Sequence, residues 1–337
     1  MAARITNRGT KKYLERNMNC FLINLIVLLF SCCITEVTLA QQNLIPLTDY
    51  GTNPGNLKAF VHVPINSSNA PKPLVVVLHG CTQNAKSIAE QSGWNKLADE
   101  YGFYVLYPQQ KFLNNPQGCF DWFLQNDITK DNGEVYSIKQ MINEVQKKYV
   151  IDTTKIFAYG LSAGALMSVA LLANYPQLFN AGAILAGGPF VPSANPLNSL
   201  KTMLSPSGYT ANELKEYVHA QNPTYAKPYP RLVVLHGKND LVVNIKNSYT
   251  LINQWTALHN IDSLPTTTYS AFNNQANITK YKYGNAVCFY EVNNLGHTLM
   301  IDPGNGPIQG GAVGTFAADK DFFSTYWIAL DFGLINK

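Results

Sequence analysis

Charge is scarce in this chain. Asp, Glu, Lys and Arg make up 14% of its 337 residues, against the roughly one quarter usual for soluble domains. Five of the 25 basic and two of the 21 acidic side chains fall within residues 1–40, so the remainder carries 20 and 19, a net charge of +1. No clustered basic face stands out, which argues against a nucleic-acid partner. Spacings of the C-x-x-C or H-E-x-x-H kind are also missing, so no structural zinc is expected. There is no internal repeat and no low-complexity linker. The most apolar run, in Cys20–Ala40, has a heart too short for a comfortable membrane span of ~20 residues.

That run has another use. Arg4, Arg8, Lys11, Lys12 and Arg16 precede it, and small residues close it near Ala40. A basic stretch, a short apolar stretch and a small-residue end fit a secretory signal peptide over residues 1–40. Met18 is a second potential start. Leu29-Phe30-Ser31-Cys32 loosely resembles a lipoprotein box, which makes a lipid anchor at Cys32 the minor alternative. The expected location is secreted or periplasmic. Three of the six cysteines go with the signal; Cys81, Cys119 and Cys288 remain. In an oxidising compartment two of these can pair, leaving one free.

Hydrophobic residues reach 46%, enough for a sizeable core. Residues 41–337 are expected to form one domain. Short apolar runs alternate with helical patterns. LKAFVHVP (57–64) alternates like a half-buried strand, and LVVVL (74–78) is continuously apolar, as a strand covered on both faces must be. FYVLYP, KIFAYG, AGAILAG, RLVVLHG and VCFYEVNN add further strands. Helical spacing marks SIAEQSGWNKLADEYG, then GEVYSIKQMINEVQKKYV with Val135, Ile138, Ile142, Val145 and Val150 near one face, then ALMSVALLANYP, Val243–His259 and FFSTYWIALDFG. This alternation implies an α/β fold with a mostly parallel sheet covered by helices on both faces. Such sheets carry their sites at the carboxyl ends of the strands. Residues 188–230, rich in Pro, Ser, Asn and Tyr, break the rhythm. They are expected to pass over the active-site face, with one short helix near Glu213–Ala220; an inert surface insertion is the equal alternative.

Gly160-Leu161-Ser162-Ala163-Gly164 spells G-x-S-x-G between a strand and a helix. A serine on so sharp a turn is strained, the glycines relieve crowding, and the helix start behind it offers free N–H groups. Ser162 is therefore the candidate nucleophile. It needs a base, and the base an orienting acid. In the chain order of α/β-hydrolases these follow the serine as acid, then histidine. Asp240 lies just past the RLVVLHG strand; Asp262 and Asp302 follow no clear strand. Beyond Asp240 lie His259, on a helical stretch, and His297, in the loop NNLGHTL. The loop histidine is the candidate base. His236 is expected to be held at its strand end by backbone hydrogen bonds. His79 ends an early central strand and is expected to brace the loop after it. The backbone N–H groups of Cys81 and Ala163 are the candidate oxyanion donors.

LVVVLHGCTQ, CFDWF, YGLSAGALM, YPQLFNAGAILAGGPF and NNLGHT together resemble the polyhydroxybutyrate depolymerase-type esterases. The resemblance runs from about Leu57 to the C-terminus. It implies a secreted α/β-hydrolase with a Ser-Asp-His triad and no metal or cofactor. It also implies that Cys81 and Cys119 are disulfide-bonded and that Trp122 contacts substrate; an ordinary core tryptophan is the plainer alternative. Two departures stand out. Many relatives have Gly where Ala165 stands, and no polymer-binding module is appended. The expected substrate is an aliphatic polyester or its oligomers. A feruloyl or acetyl esterase of plant polysaccharide is the rival enzyme, and a non-catalytic secreted binding protein the rival of another class.

Overall fold

A computed structural model describes residues 44–65, 70–192, 196–204, 206 and 208–336. The expected signal segment, Cys32 included, lies outside the described residues. From Leu44 onward the chain forms one compact unit. The elements run β1 (Ile45–Leu47), β2 (Lys58–His62), β3 (Lys72–Leu78), α1 (Ala85–Ser92), α2 (Trp94–Tyr101), β4 (Tyr104–Gln109), α3 (Gln125–Ile128), α4 (Gly133–Lys148), β5 (Ile151–Leu161), α5 (Ala163–Asn174) and β6 (Ala181–Leu185). The second half adds α6 (Pro196–Leu204), α7 (Ala211–His219), β7 (Arg231–Gly237), α8 (Lys246–Leu258), β8 (Thr267–Tyr269), β9 (Ile278–Tyr283), β10 (Val287–Val292), β11 (Leu299–Ile301), β12 (Ala317–Asp319) and α9 (Ser324–Phe332).

Ten strands form one sheet in the order β1-β2-β4-β3-β5-β6-β7-β10-β9-β8. The six central strands, β4 to β10, are parallel. Antiparallel pairs extend both edges, β2 and β1 on one side, β9 and β8 on the other. The LKAFVHVP strand thus belongs to an antiparallel margin, where alternation is expected because one face is less covered. β3 divides its side chains between two cores. Leu74, Val76 and Leu78 join α4, α5 and α8 on one face. Val75 and Val77 join α1, α2 and α9 on the other. Period-two alternation turns one apolar run into the middle layer of a three-layer sandwich.

Three details differ from the sequence expectation. The pattern SIAEQSGWNKLADEYG forms two helices, because Gly93 at φ 70° caps α1 and opens α2. A Cβ there would meet the Gly311 amide and the Phe323 ring. Val150 leaves the α4 core face and is 53% exposed, since the chain turns extended at Tyr149. The stretch 188–230 holds two helices: α7, opened by a Thr210–Glu213 capping box, and α6, which the apolar spacing had not suggested. Among the described residues, no helix is long and apolar enough to cross a membrane.

Candidate active site

Ser162 stands between β5 and α5 at φ 56°, ψ −121°. That is a sparsely populated conformation for a side-chain-bearing residue, and it persists only where the surroundings enforce it. The surroundings do so. Ser162 N–H donates to the Leu185 carbonyl at 2.9 Å, and its own carbonyl accepts from Leu166 N–H at 3.0 Å. A Cβ at Gly160 would run into the Gly164 carbonyl, and one at Gly164 into the carbonyls of Leu78 and His79. The flanking glycines are thus required by close backbone approach, as much as by the turn. The first turn of α5 aims its amides at the serine, and its dipole favours negative charge there.

The loop after β3 presses on this elbow. Gly80 lies against the Leu161 carbonyl and the Ser162 side chain. Its amide donates to Gln83 Oε1 at 2.8 Å, and the Thr82 amide donates to the Gln117 carbonyl at 2.7 Å. The amides on both sides of Cys81 are therefore already engaged, one within the loop and one with the segment that leads to Cys119. His79 is fully buried. Its Nδ1–H donates to the Gly80 carbonyl at 2.8 Å, and its Nε2 accepts from Gln110 N–H at 3.1 Å. Burial pushes its pKa down to about 4, opposed by the bond to Gly80. A neutral imidazole with both nitrogens engaged braces a loop.

A disulfide joins Cys81 to Cys119. Behind it, Gln110 donates to the Cys119 carbonyl at 3.0 Å and also to Glu134 Oε1. Glu134 accepts the Asp121 amide at 2.9 Å. Burial raises the Glu134 pKa well above the carboxylate range, helped by the nearby charges of Asp121 and Asp127. This clamp holds the CFDWF segment beside the loop after β3. Sequence reasoning missed it, because Glu134 sits on an amphipathic helix where a carboxylate reads as surface.

On the far side, two loops are laced together. Lys238 and Asn239 N–H donate to the Val292 and Leu295 carbonyls at 2.8 and 3.0 Å. Asn294 N–H donates to Asn239 Oδ1 at 3.1 Å. Gly237 admits the Leu295 carbonyl where a Cβ would collide with it. The lacing brings Asp240, after β7, to His297, after β10: Nδ1–H donates to Asp240 Oδ2 at 2.7 Å. That bond leaves Nε2 of a neutral His297 as the acceptor. Asp240 Oδ1 accepts the Val242 and Val243 amides at 2.8 and 2.9 Å. Burial alone would raise the Asp240 pKa, but hydrogen bonds from His236 and His297 and the charge of His297 hold it well below the carboxylate range.

Ser162, His297, Cys81 and Ala163 line one cleft of about 620 Å³. Its walls include Trp122, Phe123, Leu200, Met203, Val242 and Phe316. Trp122 also packs against the core, so it is both a cleft-lining and a core side chain. Leu200 and Met203 come from α6, and so the 188–230 stretch does reach this face. The other candidates lie elsewhere. His259 is half-buried at the end of α8, 3.5 Å from the Pro230 carbonyl. Asp262 accepts the Leu264 amide, and Asp302 accepts from Gln309. His236 departs from expectation: besides the Val243 carbonyl, it meets Asp240 itself, at 3.1 Å.

The chain is similar to known esterases. Residues 58–291 match the family model described as Esterase PHB depolymerase. The poly(3-hydroxyalkanoate) depolymerase C of Paucimonas lemoignei is 35% identical over all of this chain and 79% of its own length. The feruloyl esterase B of Talaromyces stipitatus is 30% identical, covering 79% of this chain and 75% of that one. An acetyl xylan esterase from Aspergillus awamori superposes with a TM-score of 0.73 at 26% identity, over 87% of this chain and all of that one. The chain belongs to the esterase PHB depolymerase family and is a carboxylic ester hydrolase on an α/β-hydrolase fold.

Proposed function

We propose that Ser162, His297 and Asp240 act as nucleophile, base and orienting acid in the hydrolysis of aliphatic polyester or its oligomers. The observation that carries this is the Asp240–His297 hydrogen bond opening on the same cleft as a strained serine at a helix start. Ser162 Oγ attacks the ester carbonyl while His297 Nε2 takes its proton. The amides of Cys81 and Ala163 hold the resulting oxyanion, a contribution of about 2.7–4 kcal/mol per donor in comparable sites. His297 then gives the proton to the leaving alcohol, and an acyl group remains on Ser162. Water, deprotonated by His297, repeats the sequence and frees the acid. Asp240 keeps His297 in the Nδ1–H tautomer and stabilises its charged form.

The polyester reading rests on two supports: the apolar walls of the cleft, with Trp122 among them, and the match of this whole chain to 79% of a poly(3-hydroxyalkanoate) depolymerase. Export is part of the proposal, supported by the Cys81–Cys119 disulfide, a bond that persists in oxidising compartments. A second reading, a feruloyl or acetyl esterase of plant polysaccharide, is favoured by the matches to enzymes of those names. Product release separates the two. The purified protein should free hydroxybutyrate from oligomers and amorphous polymer at a kcat/KM at least tenfold above that for ferulate or acetate from decorated xylan. The reverse ratio would put the polysaccharide reading first.

A further inference from the structure

We infer that His236 is a positioning residue of the triad, a second imidazole that fixes the Asp240 carboxylate and limits how tightly it holds charged His297. This rests on the triad reading above. His236 is fully buried on β7. Its Nε2 lies 3.1 Å from Asp240 Oδ2 and 2.9 Å from the Val243 carbonyl. Both are acceptors, so Nε2 must carry the hydrogen. Nδ1 lies 2.6 Å from Ser248 Oγ on α8, and the serine hydroxyl donates to it in the neutral ring. Ser248 thereby sets the tautomer that points N–H at the carboxylate.

The geometry has two consequences. Oδ1 is tied by two backbone amides and Oδ2 by two imidazoles, so the carboxylate cannot swing away from His297. In addition, both histidines share one oxygen. A neutral donor on Oδ2 spreads its negative charge and weakens its pull on the His297 imidazolium. The proton is then released more readily to the leaving alcohol. Without that donor, Asp240 would hold His297 protonated to higher pH, and the base form would be lost sooner as pH falls.

The other ionisable groups around His236 can be named. Lys238 follows just past the end of β7. Glu291, its register partner on β10, is held by Lys238 Nζ at 3.1 Å and by the Tyr249 hydroxyl. Lys246 on α8 is exposed. Glu291 is paired in this way whether or not His236 is present, which leaves Asp240 and His297 as the coupled groups.

The test is the pH profile of kcat/KM for p-nitrophenyl butyrate, with melting temperature measured in parallel. His236→Gln places an amide N–H where Nε2 stands, and its acid limb should coincide with wild type. His236→Phe has no donor, and the His236→Asn amide is one bond too short. In both, the acid limb should move up by about half to one pH unit, with plateau kcat down about tenfold and KM within about twofold. If His236→Phe fails to fold, the Gln–Asn pair decides. Folded Asn and Phe variants with the wild-type limb would reduce His236 to a packing role and overturn the proposal. So would a His236→Gln limb displaced as far as that of Phe. An active His297→Ala, run alongside, would instead overturn the triad reading beneath it.

Discussion

The two sides of the cleft are built from opposite materials. The side that carries the proposed oxyanion donors is buried and cross-linked. His79, Gln110 and Glu134 form a chain of hydrogen bonds through its interior, and the Cys81–Cys119 disulfide ties its two loops. The opposite side carries α6, whose Leu197, Leu200 and Leu204 are 65%, 41% and 63% exposed. That helix meets the acid-bearing loop through the Met203 carbonyl, which accepts from Asn244 and Asn247. The contrast follows the division of labour. Oxyanion donors must be held within about half an ångström of the productive geometry, and a satisfied buried polar network provides that. An apolar wall needs only shape and area, and exposed leucines supply both.

Breaking the proposed triad, which faces the rigid side across the cleft, should cost most. Asp240→Asn and His297→Ala should each lower kcat by about four decades, measured by hydrolysis of a soluble p-nitrophenyl ester. Adding Ser162→Ala to either should cost little further, because triad members act as a unit. Full additivity in that cycle would mean the three side chains do not work together.

Much of the frame of the cleft is legible in sequence, and for physical reasons. G-x-S-x-G is forced by backbone contact at Gly160 and Gly164, so the pattern carries geometry in its letters. LVVVL announces a doubly covered strand because nothing polar survives there. Asp240 and His297 are singled out by their strand ends, and the fold brings the two together because parallel sheets gather those ends on one face. What escaped depends on pairing that no local pattern displays. β9 reads ITKYKY, too charged for a buried strand, yet Lys280 is covered because Asp331 meets it at 2.7 Å. His236 and Asp240 are four residues apart across a turn, and only the turn makes them partners. α6 escaped because its leucines face solvent and the cleft, so its apolar spacing does not mark a core face.

Unlinking the disulfide is the next perturbation. The bridge spans 38 residues, and the chain-entropy model assigns such a loop about 4 kcal/mol. A Cys81→Ser/Cys119→Ser variant should melt at least several degrees lower. Its kcat on a small ester should fall about tenfold while KM changes less, because the Cys81 amide loses its fixed position. An unchanged kcat would show that His79 and Gln110 suffice to hold the oxyanion loop.

Trimming the open wall should do least to the chemistry and most to preference. Met203→Ala and Leu200→Ala should lower kcat/KM for butyrate relative to acetate esters by about tenfold, the scale of a few lost apolar contacts. Paired kinetics on the two esters read this directly. An equal loss on both would mean α6 supports the catalytic geometry and does not merely shape the pocket.

The central claim, that Ser162 is the atom-bearing nucleophile of this cleft, is tested most directly by covalent labelling. A p-nitrophenyl phosphonate reacts with an activated serine and stays attached. The expected result is one equivalent of p-nitrophenol released per chain, complete loss of esterase activity, and the added mass on the peptide containing Ser162. Inactivation with the mass on another residue, or continued ester hydrolysis by fully labelled protein, would contradict it.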